Sequence, residues 1–464
     1  MSESSSAEQL FHAICELIQA AMERHKVPGV TLGITCNGRE FTRGFGVTNV
    51  NHPLPVDENT LFQIGSTTKT FTATAVMRLV EAGKLSLDVP IRNYLPDFRM
   101  QDPAVTAGLT MRHLLTHVGG WDGDFFEDTG NGDDALDRYV RLLADLPQLT
   151  PLGTVFSYNN AAFSLAGRVI EVVTGQPYEN ALKELVLRPL GLRRSYLFPT
   201  YVMLHAFAVG HGVFEGGNIV LRPWQIIRAG AAAGGIAASM KDQLRYARFH
   251  LGDGTAEDGT GVLSREALRQ MQTPGDAGEL DYKMGLAWRI QDIDGIRRVF
   301  HGGGTFGQIS IFTMTPQRNF ALALTTNSIS GGLLGRDVTK DLLAQFLGNF
   351  HSEPGEIPVT NEQTAEYAGR YAAALDDIEL LPDAGKLIAQ IHSKGGFPTR
   401  DTKPGPVKPP PFRVGLIAPD RLAMMDPPYK DVQGEFLRNP DGSIAWLRWG
   451  GRIHAPLRPD QERA

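Results

Sequence analysis

The chain is poor in cysteine and has neither a basic tract nor a long apolar run. Its two cysteines, Cys15 and Cys36, cannot build a disulfide framework. Lysine and arginine number 45 against 51 acidic residues, a net charge of −6. Without a basic patch, the electrostatic footprint of a nucleic-acid binder is missing. No stretch approaches the roughly 20 apolar residues of a membrane helix. The first residues, MSESSSAEQLFHAICELIQAAMERHKVPG, are acidic and then amphipathic, without the basic start and apolar core of a signal peptide. The expected setting is a reducing cytoplasm, and a chain exported with its leader removed would read the same. Nothing calls for a metal or an organic cofactor, and the oligomeric state stays open.

What is present is 464 residues with 42% hydrophobic content, enough for two or three domains and a large core. Residues 8–25 carry Leu10, Ile14, Leu17, Ile18 and Ala21 on one helical face. VPGVTLGITCNGREFTRGFG reads as a hairpin over Asn37-Gly38. Strand patterns return at 284–294, 296–300 and 308–326, the last turning at Pro316 to Asn319, and a helix is expected over 338–350. Mostly helices and loops lie between. The economical arrangement is one antiparallel sheet built from both ends of this region, flanked by helices, with a helical region inserted: an α/β (α+β) fold. The reading divides the chain into a domain at 1–350, a linker at 351–363 and a mostly β domain at 364–464.

Within the helical region, FQIGSTTKTFTATAVMRLVEAG opens with a Ser and a Lys and then turns apolar. Positions three apart share a helix face, so Ser66 and Lys69 would meet at the start of a buried helix. Ser66 is the one serine followed by lysine at the third position. By itself Ser66 also reads as a helix cap; with partners, the pair reads as a nucleophile and a proton acceptor. FSYNN offers a phenol at Tyr158 and an amide at Asn160, or simply a surface turn. Tyr178 and Asn180 repeat that spacing but open an amphipathic helix and read as structural. HGGGTFGQISIF lets a ligand approach a strand backbone closely, or forms a Gly-rich bulge. A free N–H there and that of Ser66 could form an oxyanion hole, with His301 at its mouth. In LTMRHLLTHVGG, Gly119 is expected to cap a helix.

In this order, Ser66-Thr67-Thr68-Lys69, Tyr158-Asn159-Asn160 and His301-Gly302-Gly303 resemble the S-x-x-K, Y-x-N and K-T-G or H-x-G motifs of class C β-lactamases and penicillin-binding-protein-like serine hydrolases. VPGVTLGI, PLGTVFSYNN and YKMGLAW look like landmarks of the same group, and the resemblance covers about residues 8–348. It implies the β-lactamase/transpeptidase-like fold, and the last domain is similar to the small lipocalin-like barrel of some D-aminopeptidase relatives. It implies acylation at Ser66, proton transfer by Lys69 and Tyr158, and substrate held by Asn160, His301, Gly303 and Gly304. A third-motif lysine would hold a lactam carboxylate. His301, mostly neutral at pH 7, is a weaker anchor, which points to the esterase and peptidase branch. The expected substrate is a small ester, amide or short peptide. Weak β-lactamase or penicillin-binding activity is the alternative on the same site, and an inactive binding or scaffold protein the alternative of another class.

Overall fold

The computed structural model describes residues 3–347, 355–383, 386–405, 408–427, 430 and 432–457. Its first helix is Glu3–His25, and Leu10, Ile14, Ile18 and Ala21 on its apolar stripe are buried. The hairpin follows: Gly29–Cys36 pairs with Arg39–Gly46 across Asn37 and Gly38, whose φ angles are 49° and 79°. Two left-handed residues give the turn that matches strand twist, and Asn-Gly adopts it readily. On its other edge Gly29–Cys36 pairs with Phe320–Thr326, Cys36 facing Phe320. The sheet then continues through Ile309–Thr315, Ile296–Gly304, Arg289–Ile293, Tyr282–Met284 and Gly278–Glu279. Both ends of the region thus build one sheet, as expected.

The strand Phe320–Thr326 is buried on both faces. Its side chains alternate with period two. Phe320, Leu322 and Leu324 meet the first helix and Leu334 and Val338 of the helix Gly331–Leu347. Ala321 and Ala323 face the opposite layer, with Met240 and Leu244. The helix expected from 338 therefore starts earlier, at Gly331, and residues 348–350 lie outside the described residues. Between the sheet's second strand and Gly278 come the inserted helices. Thr68–Glu81 is buried from Thr68 through Met77. Its threonines find partners inside: Thr72 Oγ1 donates to the Ala232 carbonyl at 2.7 Å and Thr74 Oγ1 to that of Thr70 at 2.9 Å. Tyr178, read as structural, approaches Thr72 with its hydroxyl at 2.8 Å.

The helix Met111–Leu115 is capped differently from the expectation. Thr116 is its cap, and His117, not Gly119, takes the left-handed turn at φ 60°. Of the expected linker, residues 351–354 lie outside the described residues. Ile357 N–H bonds to the Leu416 carbonyl at 2.8 Å, and a capping box of Thr360 and Gln363 starts the helix Asn361–Tyr367. Its Tyr367 enters the core of a closed eight-stranded antiparallel barrel, which runs from Gly369–Ala372 to Arg452–Pro456 and closes where Ala372 meets Ala455.

Candidate active site

Ser66 sits in a single 3-10 turn, Gly65–Thr67, that leads into the buried helix. That turn puts its side chain one helical turn from Lys69. Lys69 is fully buried, and its Nζ lies 3.1 Å from Ser66 Oγ, 2.7 Å from Asn160 Oδ1 and 2.8 Å from the Ala233 carbonyl. Three oxygens thus satisfy three ammonium protons, and no carboxylate pairs with Lys69 among the described residues. Burial, as the leading cause, holds the amine below its usual range. A lysine so placed gives up a proton more readily.

Tyr158 and Asn160 straddle the start of the helix Asn160–Thr174, where Asn159 caps by accepting from Ala162 N–H. The Tyr158 hydroxyl is buried and makes no hydrogen bond among the described residues. Lys69 Nζ lies 5.0 Å from its ring centroid. Burial pushes the phenol up, but the charges of Lys69 and Arg289 outweigh it, and the net direction is down. Asn160 is held from behind by Asp124 Oδ1, which accepts from Nδ2 at 2.6 Å. That contact fixes which end of the amide faces Lys69.

The third segment is the end of the strand Ile296–Gly304. Its pairing with Arg289–Ile293 stops at Phe300, whereas its pairing with Ile309–Thr315 runs on to Gly304. Residues 301–304 therefore present one open edge. Thr305 N–H bonds to the Gln308 carbonyl at 2.9 Å. Hydrogen-bonded pairs alternate along an antiparallel ladder, so the Gly304 N–H points away from Ile309, toward that open edge. A Cβ on Gly303 would lie 2.7 Å from Ser66 N and 1.9 Å from the Ile64 carbonyl, so only glycine lets the strand come this close to the Ser66 turn. A cavity of about 520 Å³ is lined here by Ser66, Tyr158, Asn160, Gly302, Gly303 and Gly304.

His301 differs from its expected place at the mouth. It is buried, its Nδ1 donates to the Gly302 carbonyl at 2.6 Å, and its Nε2 has no partner among the described residues. Burial, with Arg289 and Lys69 nearby, keeps it neutral, well below the usual imidazole range. The cations that do line the cavity are Arg289 and Arg452. Both guanidinium groups lie over the Tyr158 ring, at 5.5 and 4.6 Å from its centroid. Arg452 is paired with Asp124 at 2.9 Å; Arg289 has no carboxylate partner among the described residues.

Three residues near this site escaped the sequence reading, Asp124, Arg289 and Arg452, and a fourth, His117, reads there only as part of a helix end. His117 stacks on Tyr158 with centroids 4.4 Å apart, and its Nδ1 accepts from Asn159 N–H at 2.9 Å. Arg452 comes from the barrel's last strand, and the turn before it is tied to the same segment: the Gly451 carbonyl accepts from Tyr158 N–H at 2.8 Å. Beside it Arg448 donates to the Phe156 carbonyl at 3.0 Å.

A Ser–Lys pair at the foot of a buried central helix, facing a tyrosine and the open edge of an antiparallel sheet, defines a class of serine hydrolases. The Beta-lactamase family matches residues 14–344, and the chain belongs to that family. It is 35% identical over 340 residues to Penicillin-binding protein 4 of Amycolatopsis lactamdurans, covering 72% of this chain and 89% of that one. It is 35% identical over 192 residues to esterase EstB of Burkholderia gladioli, covering 38% and 48% of the two chains. The solved structure of SurE with D-Leu superposes with a TM-score of 0.74 at 28% identity, over 97% of this chain and all of that one. The barrel is part of that likeness. Among the described residues no helix is long and apolar enough to cross a membrane.

Proposed function

We propose that this serine hydrolase cleaves a small ester, amide or short peptide through an acyl-enzyme on Ser66, as a carboxylesterase or D-amino-acid-type peptidase. The observation that carries the reading is the fully buried Lys69 ammonium 3.1 Å from Ser66 Oγ, with no carboxylate paired to it among the described residues. A buried cation held by neutral oxygens alone is costly, and a nucleophile beside it gives that cost a use. Ser66 Oγ attacks the carbonyl carbon as its proton passes to the Lys69–Tyr158 pair. The developing oxyanion is met by the N–H groups of Ser66 and Gly304. Asn160 holds the substrate against the open strand edge, and Gly303 lets that edge lie close to the Ser66 turn. Tyr158 returns the proton to the departing alcohol or amine, and water then releases the acyl group by the same route in reverse. His301 serves the strand from behind. The esterase name of one relative and the D-Leu in the SurE structure support the ester and D-amino-acid branch. The proposed domains are a catalytic one at 1–350 and the barrel at 364–464, joined through 351–363.

Arg289 keeps a second reading open, β-lactamase or penicillin-binding activity, because a guanidinium in the cavity with no carboxylate partner among the described residues can take a substrate carboxylate. A fluorophosphonate probe should label Ser66 alone, and a panel of p-nitrophenyl esters, D-amino-acid amides and nitrocefin ranks the activities. No labelling at all would leave the scaffold alternative standing.

A further inference from the structure

The cavity beside Ser66 has an apolar part that the chemistry above leaves unused. Phe125, Phe126, Ile226, Ile227, Leu375 and Phe397 line it. None of these except Ile227 is fully buried. Half-covered apolar side chains converging on one cavity are surface that an apolar ligand group would cover.

The compartment has a roof, and the barrel supplies it. Phe397 lies in the Pro-rich loop after the barrel strand Lys386–Ser393. Its ring meets Phe126 edge-on at 5.0 Å and Phe306 at 6.5 Å. Next to it Arg400 N–H bonds to the Phe126 carbonyl at 2.8 Å, and its guanidinium pairs with Glu127 at 3.1 Å. The loop is also braced from within. Gly396 N–H bonds to the Thr402 carbonyl at 2.7 Å, and the Thr399 and Thr402 hydroxyls are 2.9 Å apart. Gly395 has φ 81°, and a Cβ there would lie 2.1 Å from the Thr402 carbonyl, so glycine is required for the bend. Lys394 N–H ties the loop to the Leu375 carbonyl at 2.8 Å.

The roof has a definite side. Arg289 is opposite Phe300 in the ladder and stands over Tyr158, the group that returns the proton to the leaving group. Gly304 lies about 13 Å further along the strand, at the usual rise per residue. Phe397 touches Phe306, beyond Gly304. The arginine and the phenyl rings therefore flank the oxyanion position from opposite ends of the edge. The leaving group belongs to the Tyr158 end, so the phenyl compartment belongs to the acyl end.

We propose that Phe397, with Phe126, selects the acyl group, and that this hydrolase prefers acyl groups bearing a large apolar substituent, aromatic or branched aliphatic. The inference rests on the acyl-enzyme reading of Ser66. Its test compares p-nitrophenyl phenylacetate with p-nitrophenyl acetate, each kcat/KM divided by the rate with hydroxide. The leaving group is common, so the ratio reads the acyl end alone. The native ratio should favour phenylacetate by about tenfold or more, the usual scale for an added group in an apolar pocket. Phe397→Ala should cut that ratio about tenfold, and Phe397→Leu, which keeps an apolar side chain, should fall between. A native ratio near one, or a ratio unmoved by Phe397→Ala, overturns the proposal while probe labelling at Ser66 leaves the hydrolase reading standing. Absence of labelling at Ser66 removes the hydrolase reading and the acyl preference together.

Discussion

Arg452 and Asp124 join the barrel to the catalytic region: Nε lies 2.9 Å from Oδ2, while the other carboxylate oxygen accepts from Asn160 Nδ2 at 2.6 Å. A line of contacts then runs from the barrel through Asp124 and Asn160 to Lys69 and Ser66. Truncation near Glu353 would remove the barrel, and these contacts with it. Truncation strips Asp124, whose side chain is 5% exposed, of its cation, and Tyr158 N–H of its acceptor. An orphaned buried charge costs more than the roughly 1–3 kcal/mol of an unsatisfied neutral group. Arg452→Met should therefore lower the rate of fluorophosphonate labelling about tenfold or more, with Arg452→Lys less affected. Truncated protein that labels at the native rate would refute the coupling.

Ser66→Ala should abolish turnover with the fold intact, because one half-buried hydroxyl is lost at a turn and Lys69 keeps two of its three acceptors. The native protein treated with a serine-directed inhibitor should gain mass on the peptide spanning Gly65 to Lys69. A stable adduct on a different serine would move the chemistry elsewhere.

The sheet and the grouping of the three motifs were legible because each rests on a local signal. Asn37-Gly38 marks a hairpin, alternating apolar residues mark the strand Phe320–Thr326, and Ser66, Tyr158 and Gly302 to Gly304 stand in short patterns. The early start of the helix Gly331–Leu347 was hidden, since Gly331, Gly332 and Gly335 carry no apolar side chain to reveal the period. Asp124 looked like its neighbours Asp122 and Asp128 in one acidic loop. Arg452 reaches the cavity only because the barrel closes and brings its last turn onto Tyr158, and no spacing in the chain encodes that meeting. His301 was placed by its motif, but its burial depends on the strand's facing, which pairing decides.

Tyr158 and Lys69 should behave as one proton-transfer unit. Both groups lie below their ordinary ranges: for Lys69 burial dominates, and for Tyr158 the cations overcome burial. The active form has lost one proton from the pair, so kcat/KM should rise with pH to a plateau, and the apparent pKa should fall below the ordinary phenol value of about 10. His117 and His301 stay neutral through this range and should add no limb of their own. Tyr158→Phe should lower kcat by about 10² or more. Adding Lys69→Ala should cost much less than the product of the single losses. Independent, multiplicative losses would show two separate roles.

Charge recognition at the leaving-group end depends on which cation faces it. Judged on His301 alone, carboxylate-bearing substrates lack a cation, and neutral esters should outrun nitrocefin. Arg289 changes that expectation, since its guanidinium lines the cavity without a carboxylate partner among the described residues. Its contribution to a bound carboxylate is about 1.5–3 kcal/mol for a charge-assisted hydrogen bond, or roughly 10- to 100-fold in binding. Arg289→Gln should therefore lower kcat/KM for nitrocefin 10- to 100-fold more than for p-nitrophenyl acetate. His301→Lys is not the route to lactam activity: it would place an ammonium in a buried site beside Arg289 and Lys69, and the expected outcome is a lower Tm with no gain on nitrocefin. Equal losses on both substrates in Arg289→Gln would show that Arg289 acts through Tyr158 instead of through the substrate. A folded His301→Lys with enhanced nitrocefin turnover would return the selecting role to the third motif.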